Sequence, residues 1–367
     1  MSEHFICASC HEEHPIEAQT LFDGAALCPA CLEEETTLCD RCGERIWRDS
    51  NFGGDCLCLC ESCYENHFTT CNHCDRVISH DDAYYHEDED DVPYCYNCFE
   101  SSADDRKIHA YTYKPEAVFH GAGTRFMGVE LEIDCGGEDS GNAEALLSVA
   151  NESAENIYCK RDGSLNNGFE LVSHPMTLEY HKSEMPWKSV LEEARKLHYL
   201  SHMCKTCGLH VHVNRSSFGD TYEEQEAGIA RVLYFVENHW LELLRFSRRT
   251  EAQLLQWASR YGRKDNPKAV LDAAKESYAR YSCVNLTNCD TIEFRIFRGT
   301  LKYNTFIATL QLVEEICNVA LSMSDENLDK LSWTDFVSAL DEKRVPELVL
   351  YLKERRLYVN EPMAEEV

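Results

Sequence analysis

The sequence predicts an α+β fold, in which a mostly antiparallel sheet with flanking helices follows an N-terminal region of zinc-ribbon or treble-clef repeats. Two observations support this prediction. Cys-x-x-Cys pairs recur through the first hundred residues, and beyond residue 125 strand-like segments with period-two polar residues alternate with helix-like apolar patterns. We therefore expect zinc-binding repeats in residues 1–105, a linker in residues 106–124, a second domain in residues 125–325 and a helical segment in residues 326–367.

The cysteine pairs form an internal repeat of three units. The units open at Cys7, Cys39 and Cys71, 32 residues apart each time, and the gaps between their two pairs are 17, 17 and 20 residues. This spacing is typical of four-thiolate zinc sites, which stabilise units too small to form a sufficient hydrophobic core. Sequential and cross-braced pairing both remain possible. We expect three structural Zn²⁺ ions, bound by Cys7, Cys10, Cys28, Cys31, Cys39, Cys42, Cys60, Cys63, Cys71, Cys74, Cys95 and Cys98.

The charge distribution excludes some classes of partner. The chain carries 65 Asp and Glu against 35 Lys and Arg, a net charge of −30, and residues 1–105 hold 25 acidic and 4 basic side chains. The negative electrostatic field of this region repels the phosphates of nucleic acids, so nucleic acid is not expected as a partner. No apolar run is long enough to cross a membrane, and no signal peptide is recognisable. We expect a reducing cytoplasm, where cysteines serve as metal ligands and free thiols.

An acidic strand is predicted at residues 126–134. Glu130, Glu132 and Asp134 alternate there with apolar residues, and a period of two places the three carboxylates on one face. Their mutual repulsion favours a bound cation between them. A solvated acidic face is the simpler interpretation of this strand alone.

Three later segments repeat the pattern of polar residues at alternate strand positions. His210 and His212 share a face of one predicted strand, and Glu293 and Arg295 share a face of another. A strand, turn and strand at residues 160–173 carry Asp162, Ser164 and Glu170. Residues 220–246, which lie between these segments, have the apolar period of one long helix.

In this order the segments resemble the amidoligase family. The resemblance rests on four motifs and covers about residues 125–320, so the cysteine repeats lie outside it. The motifs are Gly128-x-Glu130-x-Glu132, Asp162-Gly-Ser164 with Gly168-x-Glu170, Gly208-x-His210-x-His212, and Asn285 followed by Glu293-x-Arg295 and Arg298. The pair Cys204 and Cys207, directly ahead of Gly208, is not part of the family pattern.

The resemblance implies a catalytic domain with a fold like that of glutamine synthetase and glutamate-cysteine ligase. It implies an ATP-dependent ligase, in which ATP phosphorylates a carboxylate and an amine attacks the acyl phosphate to form an amide or isopeptide bond. Arg295 and Arg298 would then hold the γ-phosphate, and Asp162 and Ser164 would border the acceptor pocket. The residues expected to bind Mg²⁺ and nucleotide are Glu130, Glu132, Glu170, His210, His212, Asn285 and Glu293.

Two alternative functions remain open on the sequence. A zinc-dependent hydrolase would use His210 and His212 with Cys204 and Cys207, and it would need a fourth zinc ion. A non-catalytic adaptor would use the zinc fingers to bind a partner protein. In the ligase, the acidic fingers are expected to recruit or orient a protein or peptide substrate that carries a carboxylate or an amine.

Overall fold

The chain folds as two separate units, Met1–Arg106 and Lys107–Val367, in the computed structural model. The residues that the structure describes are 4–54, 57–72, 74–86, 89–96, 98–99, 107–204, 206–277 and 279–358. Within these ranges, no helix combines the length and the apolar character needed to cross a lipid bilayer.

Each cysteine repeat of the first unit begins with a short β-hairpin that carries the first Cys-x-x-Cys pair in its turn. In the first repeat, strands His4–Ile6 and Glu13–Pro15 pair, the hairpin Thr20–Phe22 with Ala25–Leu27 follows, and helix Pro29–Glu35 ends the repeat. The later repeats contain hairpin Thr36–Leu38 with Arg45–Trp47, helix Glu61–His67, hairpin Phe68–Thr70 with Val77–Ser79, and hairpin Tyr84–His86 with Glu89–Tyr94.

The second cysteine pair of a repeat opens a helix. Cys28 is the N-cap of helix Pro29–Glu35, and its Sγ accepts a hydrogen bond from the N–H of Cys31. Cys60 is the N-cap residue of helix Glu61–His67. Because the helix N-terminus presents free N–H groups, it favours a thiolate at this position.

The second unit contains one antiparallel sheet, which has six strands among the described residues. The strands are β1 (Met127–Ile133), β2 (Ile157–Lys160), β3 (Phe169–Ser173), β4 (Gly208–Asn214), β5 (Val284–Asn285) and β6 (Thr291–Arg298). Their order across the sheet is β2-β3-β1-β4-β6-β5, and every neighbouring pair is antiparallel. The acidic strand β1 is therefore central, with β3 on one side and β4 on the other.

Helices cover the apolar face of this sheet. Val129, Leu131 and Ile133 of β1 are fully buried on that face, in a core that the helices share. The helices are α1 (Ser140–Ala150), α2 (Leu178–Ser183), α3 (Trp187–Lys196), α4 (Tyr222–Asn238), α5 (Trp240–Ser247), α6 (Glu251–Trp257), α7 (Pro267–Ser277), α8 (Tyr303–Ser322), α9 (Asp325–Lys330), α10 (Trp333–Ser338) and α11 (Pro346–Glu354). The apolar side chains of α10 and α11 belong to the same core.

The long helix predicted over residues 220–246 is divided in two. Helix α4 ends at Asn238 and α5 begins at Trp240, because the junction residue His239 leaves helical geometry with φ −110° and ψ 31°. The apolar period continues through the junction, so the sequence pattern alone does not show the break.

Candidate active site

The face of the sheet opposite the helices carries the polar side chains. Glu130 of β1 lies directly opposite His210 of β4 in the register, and Glu132 lies opposite Glu170 of β3. His212 of β4 lies opposite Glu293 of β6. Since residues directly opposite each other in a sheet point to the same face, the pairing brings these groups together on one surface.

His210 lies at the centre of this group. Its Nδ1 is 3.3 Å from Oε2 of Glu130 and 3.6 Å from Oε1 of Glu293, and its Nε2 is 3.8 Å from Oε1 of Glu132. The neighbouring His212 places Nε2 3.4 Å from Oε1 of Glu130. Three carboxylates from two strands therefore meet around one imidazole ring.

Two cations lie at opposite sides of the carboxylates. Lys160, at the end of β2, places Nζ 3.3 Å from Oε2 of Glu170 and 3.8 Å from Oε1 of Glu130. On the other side, the guanidinium group of Arg295 donates a hydrogen bond to Oε1 of Glu293. These contacts offset part of the negative charge that burial makes costly.

The carboxylates differ in how easily they ionise. Burial opposes the ionisation of Glu130, but the charge of His212 and hydrogen bonds from both histidines hold its pKa well below the usual range. Burial and the nearby charge of Glu130 raise the pKa of Glu170 well above its usual range. The surroundings therefore favour the anionic form of Glu130 and the neutral form of Glu170 beside it.

The donor set fits a hard divalent cation. Oε2 of Glu170 is buried, and beyond its 3.3 Å ion pair with Lys160 it has no hydrogen-bond partner among the described residues. A cation beside Glu130 would give this carboxylate oxygen a further partner. Carboxylate oxygens are the ligands that Mg²⁺ prefers, so the residues present are compatible with that ion.

Two cavities open on either side of the carboxylates. One has a volume of about 490 Å³, and its wall includes Glu132, Asp162, Ser164, His210 and Arg295. The N–H of Ser164 donates a 2.7 Å hydrogen bond to Oδ1 of Asp162, which fixes the turn that carries both residues.

The other cavity has a volume of about 670 Å³. Its wall includes Glu130, Lys160 and His212 together with the aromatic residues Phe119 and Phe126. Both cavities are in the size range of small-molecule sites, and the metal-compatible groups lie between them.

Arg298 lies apart from both cavities. Phe297 pairs with Leu209 whereas Phe294 pairs with Val211, so β6 has one extra residue at this point, which is a β-bulge. The register places Arg298 opposite Gly208, and the guanidinium contacts the backbone oxygen of Arg248 at 3.5 Å. Its expected role at the γ-phosphate stays a prediction.

Gly208 occupies a tight position at the start of β4. Its N–H donates a hydrogen bond to Oε2 of Glu132. A Cβ atom at this residue would lie 2.7 Å from Nε2 of His210 and 2.8 Å from the guanidinium of Arg249. The backbone can approach these groups because the residue has no side chain.

A comparison with protein-family models agrees with this geometry. The model described as "Putative amidoligase enzyme" matches residues 146–317. The amidoligase resemblance of this region is thereby confirmed. The match supports a ligase-like enzyme. A comparison with curated proteins found no match.

The amidoligase match begins after β1. Glu130 and Glu132 therefore reach the site from outside the matched residues, through the pairing of β1 with β3 and β4. The histidines of β4 and the Glu293 and Arg295 pair of β6 lie inside the match.

Four further residues lie at the candidate site although their sequence pattern does not single them out. Lys160 could have been recognised, because it ends a strand that pairs with the Glu170 strand. Arg249, Arg280 and Tyr111 line the 490 Å³ cavity from outside the sheet. No local pattern identifies these three, because only the tertiary fold brings them to the cavity.

Asp134 has a structural position and does not join the group of carboxylates around His210. It is fully buried, and its carboxylate accepts hydrogen bonds from the N–H groups of Cys135 and Asn167, both at 2.8 Å, and from the hydroxyl of Thr206 at 3.3 Å. It thereby braces two loops that border the 490 Å³ cavity.

The residues of the hydrolase alternative have different neighbours. His210 and His212 contact the carboxylates described above, whereas Sγ of Cys204 lies 3.6 Å from Sγ of Cys135. The contacts of these histidines are those of an oxygen-rich site, which suits Mg²⁺ better than zinc.

The cysteines of the first unit form three groups of four among the described residues, each within one repeat. The pairing is therefore sequential, which the spacing left open. In the second group, Sγ of Cys42 lies 3.7 Å from Sγ of Cys60, and in the third, Sγ of Cys74 lies 3.9 Å from Sγ of Cys95. A tetrahedral Zn²⁺ with bonds of about 2.3 Å would space its sulfurs by about 3.8 Å. The groups fit zinc-binding repeats.

Backbone N–H groups favour the thiolate form of the first cysteine in two repeats. Burial raises the pKa of Cys7, but hydrogen bonds from N–H groups, including that of Cys28 at 3.3 Å, outweigh it and lower the pKa to about 6. The same balance lowers the pKa of Cys39 to about 6. Thiolates are the form that binds zinc.

Proposed function

We propose that the second unit is an ATP-dependent carboxylate–amine ligase, which forms an amide or isopeptide bond through an acyl phosphate on a glutamine synthetase-like fold. One observation carries the proposal: Glu130, Glu132 and Glu293 meet around His210, and Arg295 lies beside them. A site that joins ATP to a carboxylate must neutralise several negative charges, and this arrangement of metal-compatible oxygens and a guanidinium group suits that task.

In this proposal the nucleotide occupies the 670 Å³ cavity. Phe119 and Phe126 offer apolar surface to the base, and Lys160 and His212 lie in the wall near the carboxylates. Mg²⁺ held by Glu130, Glu132, Glu170 and Glu293 would neutralise phosphate charge during transfer. Asn285 supports the ligand set through its hydrogen bond to Glu293.

The carboxylate and the amine occupy the 490 Å³ cavity on the other side. Arg295 and Arg249 lie in its wall and would hold the carboxylate and stabilise charge on the transferred phosphoryl group. Asp162 lies in the same wall and would accept the proton that the amine loses as it attacks the acyl phosphate. ADP and phosphate then leave as the amide is released.

Phosphate release tests the ligase. The full chain is incubated with ATP and Mg²⁺ and with a panel of amino acids and acidic peptides, and we expect released phosphate that depends on one panel member. Glu293→Gln should lower the rate by about a hundredfold or more. Glu152→Gln, an exposed carboxylate outside the site, is the matched control and should leave the rate unchanged. Equal rates in both variants would reject the site.

For the first unit we propose three structural Zn²⁺ ions and a role in recruiting or orienting a protein or peptide substrate. Its acidity repels nucleic acid and favours a partner with basic groups. Removing residues 1–105 should raise KM for a protein or peptide substrate and leave kcat nearly unchanged. Unchanged efficiency would leave these repeats a structural role alone.

The adaptor alternative makes a different prediction for the second unit. A catalytically inactive domain should gain little stability from ATP, whereas a ligase should show an increase in unfolding temperature that requires both ATP and Mg²⁺. Thermal unfolding of the full chain with each ligand alone and with both together separates the two possibilities.

A further inference from the structure

Five arginines surround a third cavity in the second unit, with a volume of about 570 Å³. They come from three parts of the chain: the end of α5 and the two residues that follow it, the end of β6, and the residue directly after α11. They are Arg245, Arg248, Arg249, Arg298 and Arg355. In a chain with a net charge of −30, a cavity lined by so many cations is an exceptional local field.

The cavity wall contains no carboxylate among the described residues. Several of the guanidinium groups are instead oriented by backbone oxygens. Arg248 donates to the oxygen of Arg298 at 3.3 Å, Arg249 donates to the oxygen of Phe297 at 3.2 Å, and Arg355 donates to the oxygen of Arg245 at 2.7 Å. These bonds hold the side chains in place without neutralising their charge.

Two of the arginines have further capacity for hydrogen bonding. Nε of Arg248 and Nε of Arg249 are buried and have no partner among the described residues, and Arg249 is only 8% exposed. Burial, which is only partly offset by the charge of Glu132, lowers the pKa of Arg249 to about 10. Buried donors without acceptors are costly, so their retention points to an anion that satisfies them.

The arginine cavity adjoins the proposed acceptor site. Arg249 lines both the arginine cavity and the 490 Å³ cavity that contains Asp162 and Arg295. The 670 Å³ cavity, proposed above for the nucleotide, shares no wall residue with the arginine cavity among the described residues. A ligand of the arginine cavity would therefore extend from the acceptor side.

We propose that the arginine cavity binds an acidic peptide segment of the ligase substrate, with its side-chain or main-chain carboxylates on the guanidinium groups. This rests on the proposed ligase function and names its substrate class: a peptide whose reacting group enters the 490 Å³ cavity while neighbouring acidic residues continue past Arg249. Guanidinium groups pair with carboxylates through two parallel hydrogen bonds, which gives selectivity for acidic over neutral sequences.

The wall of the cavity favours a peptide over a string of phosphates. Leu241 and Leu244 lie among the arginines, and Leu241 is 40% exposed. Aliphatic surface between cationic groups suits acidic side chains, whose carboxylates are joined by apolar methylene groups. An oligophosphate has no apolar part to place there.

Binding of a labelled peptide tests the proposal without any need for turnover. Fluorescence anisotropy compares fluorescein-labelled hexaglutamate with hexaglutamine on the full chain, in the absence of ATP. We expect the wild type to bind hexaglutamate and not hexaglutamine. Arg355→Gln should weaken hexaglutamate binding by about tenfold. Arg195→Gln, which replaces an exposed arginine outside the cavity, should leave it unchanged.

The controls keep the result interpretable. Circular dichroism checks that Arg355→Gln is folded, and Arg245→Gln, on α5, provides a second variant in the cavity wall. Equal hexaglutamate affinity in wild type and both variants would overturn the proposal, as would stronger competition by tripolyphosphate than by unlabelled hexaglutamate. Glu293→Gln should lose phosphate release but retain peptide binding, so failure of the ligase function is distinguishable from failure of the peptide site.

Discussion

Asn285 donates a 2.8 Å hydrogen bond to Oε2 of Glu293, so that the other oxygen of this carboxylate faces Arg295 and His210. Asn285 belongs to the two-residue edge strand β5 and lies opposite Glu293 in the register. The edge strand β5 thus orients the carboxylate of Glu293 towards His210 on β4.

Replacing this amide tests that orientation. Asn285→Ala removes the hydrogen bond and leaves the carboxylate of Glu293 free to rotate away from His210. We expect phosphate release to fall by about tenfold or more, mainly in kcat, because small displacements of positioned groups are costly. Steady-state kinetics measure the effect. Asn285→Asp keeps the size but loses the donor, so normal activity in that variant would contradict the explanation.

Lys160 supplies a positive charge beside two of the clustered carboxylates, Glu130 and Glu170. Lys160→Met leaves Glu130 and Glu170 without this charge, and we expect the free energy of unfolding to drop by about 3 kcal/mol in metal-free buffer. Mg²⁺ should then raise the unfolding temperature of the variant more than that of the wild type. Thermal unfolding with and without Mg²⁺ measures both effects. Lys188→Met, at an exposed position, is the control.

Zinc content and its removal test the first unit. We expect three zinc atoms per chain by elemental analysis, since three groups of four cysteines lie within single repeats. Each structural zinc contributes on the order of 10 kcal/mol to folding, so chelation should unfold the repeats and expose them to protease. The second unit has its own apolar core and should resist digestion. A fourth zinc atom would revive the hydrolase alternative.

His181 gives the second unit a pH-dependent stability. The ring is fully buried. Its Nε2 lies 3.0 Å from the backbone oxygen of Met127, and its Nδ1 accepts a 3.0 Å hydrogen bond from Trp187. Burial lowers its pKa to about 4, below the value of about 6.5 for an unfolded chain. The unfolded state thus binds more protons between these values, and stability falls with the pH.

The stabilisation from neutral His181 should be complete above pH 6.5 and disappear as the pH falls towards 4, by up to about 3 kcal/mol. Urea unfolding followed by tryptophan fluorescence at several pH values measures this loss. Other buried histidines and the zinc thiolates add their own pH dependence. His181→Gln therefore serves as the reference, and the difference in slope between the two proteins isolates this residue. Parallel slopes would contradict the assignment.

The period-two pattern was sufficient to predict which side chains of β1, β4 and β6 share a face. It predicted that Glu130, Glu132, His210 and Glu293 would be on the polar faces of their strands, because a strand face follows from local geometry. The pattern could not give the register between strands, which determines that Glu130 lies opposite His210. Register depends on the tertiary core and on bulges.

Arg298 and Arg249 show where sequence reasoning ends. Arg298 is three residues after Arg295, and its surroundings depend on a bulge in β6 that no residue type indicates. Arg249 follows a helix that ends at Ser247, and it reaches the cavity only because Arg248 adopts a left-handed conformation with φ 63°. Neither feature has a local sequence pattern.

A substitution at Gly208 can separate effects on folding from effects on the candidate active site. The atoms that a methyl group at this residue would meet are side-chain ends, which can move, and not backbone, which cannot. Gly208→Ala should therefore yield a protein of near-normal stability in which the imidazole and the shared arginine are pushed out of position. A single added carbon atom would thus disturb the candidate reaction centre and leave the fold intact.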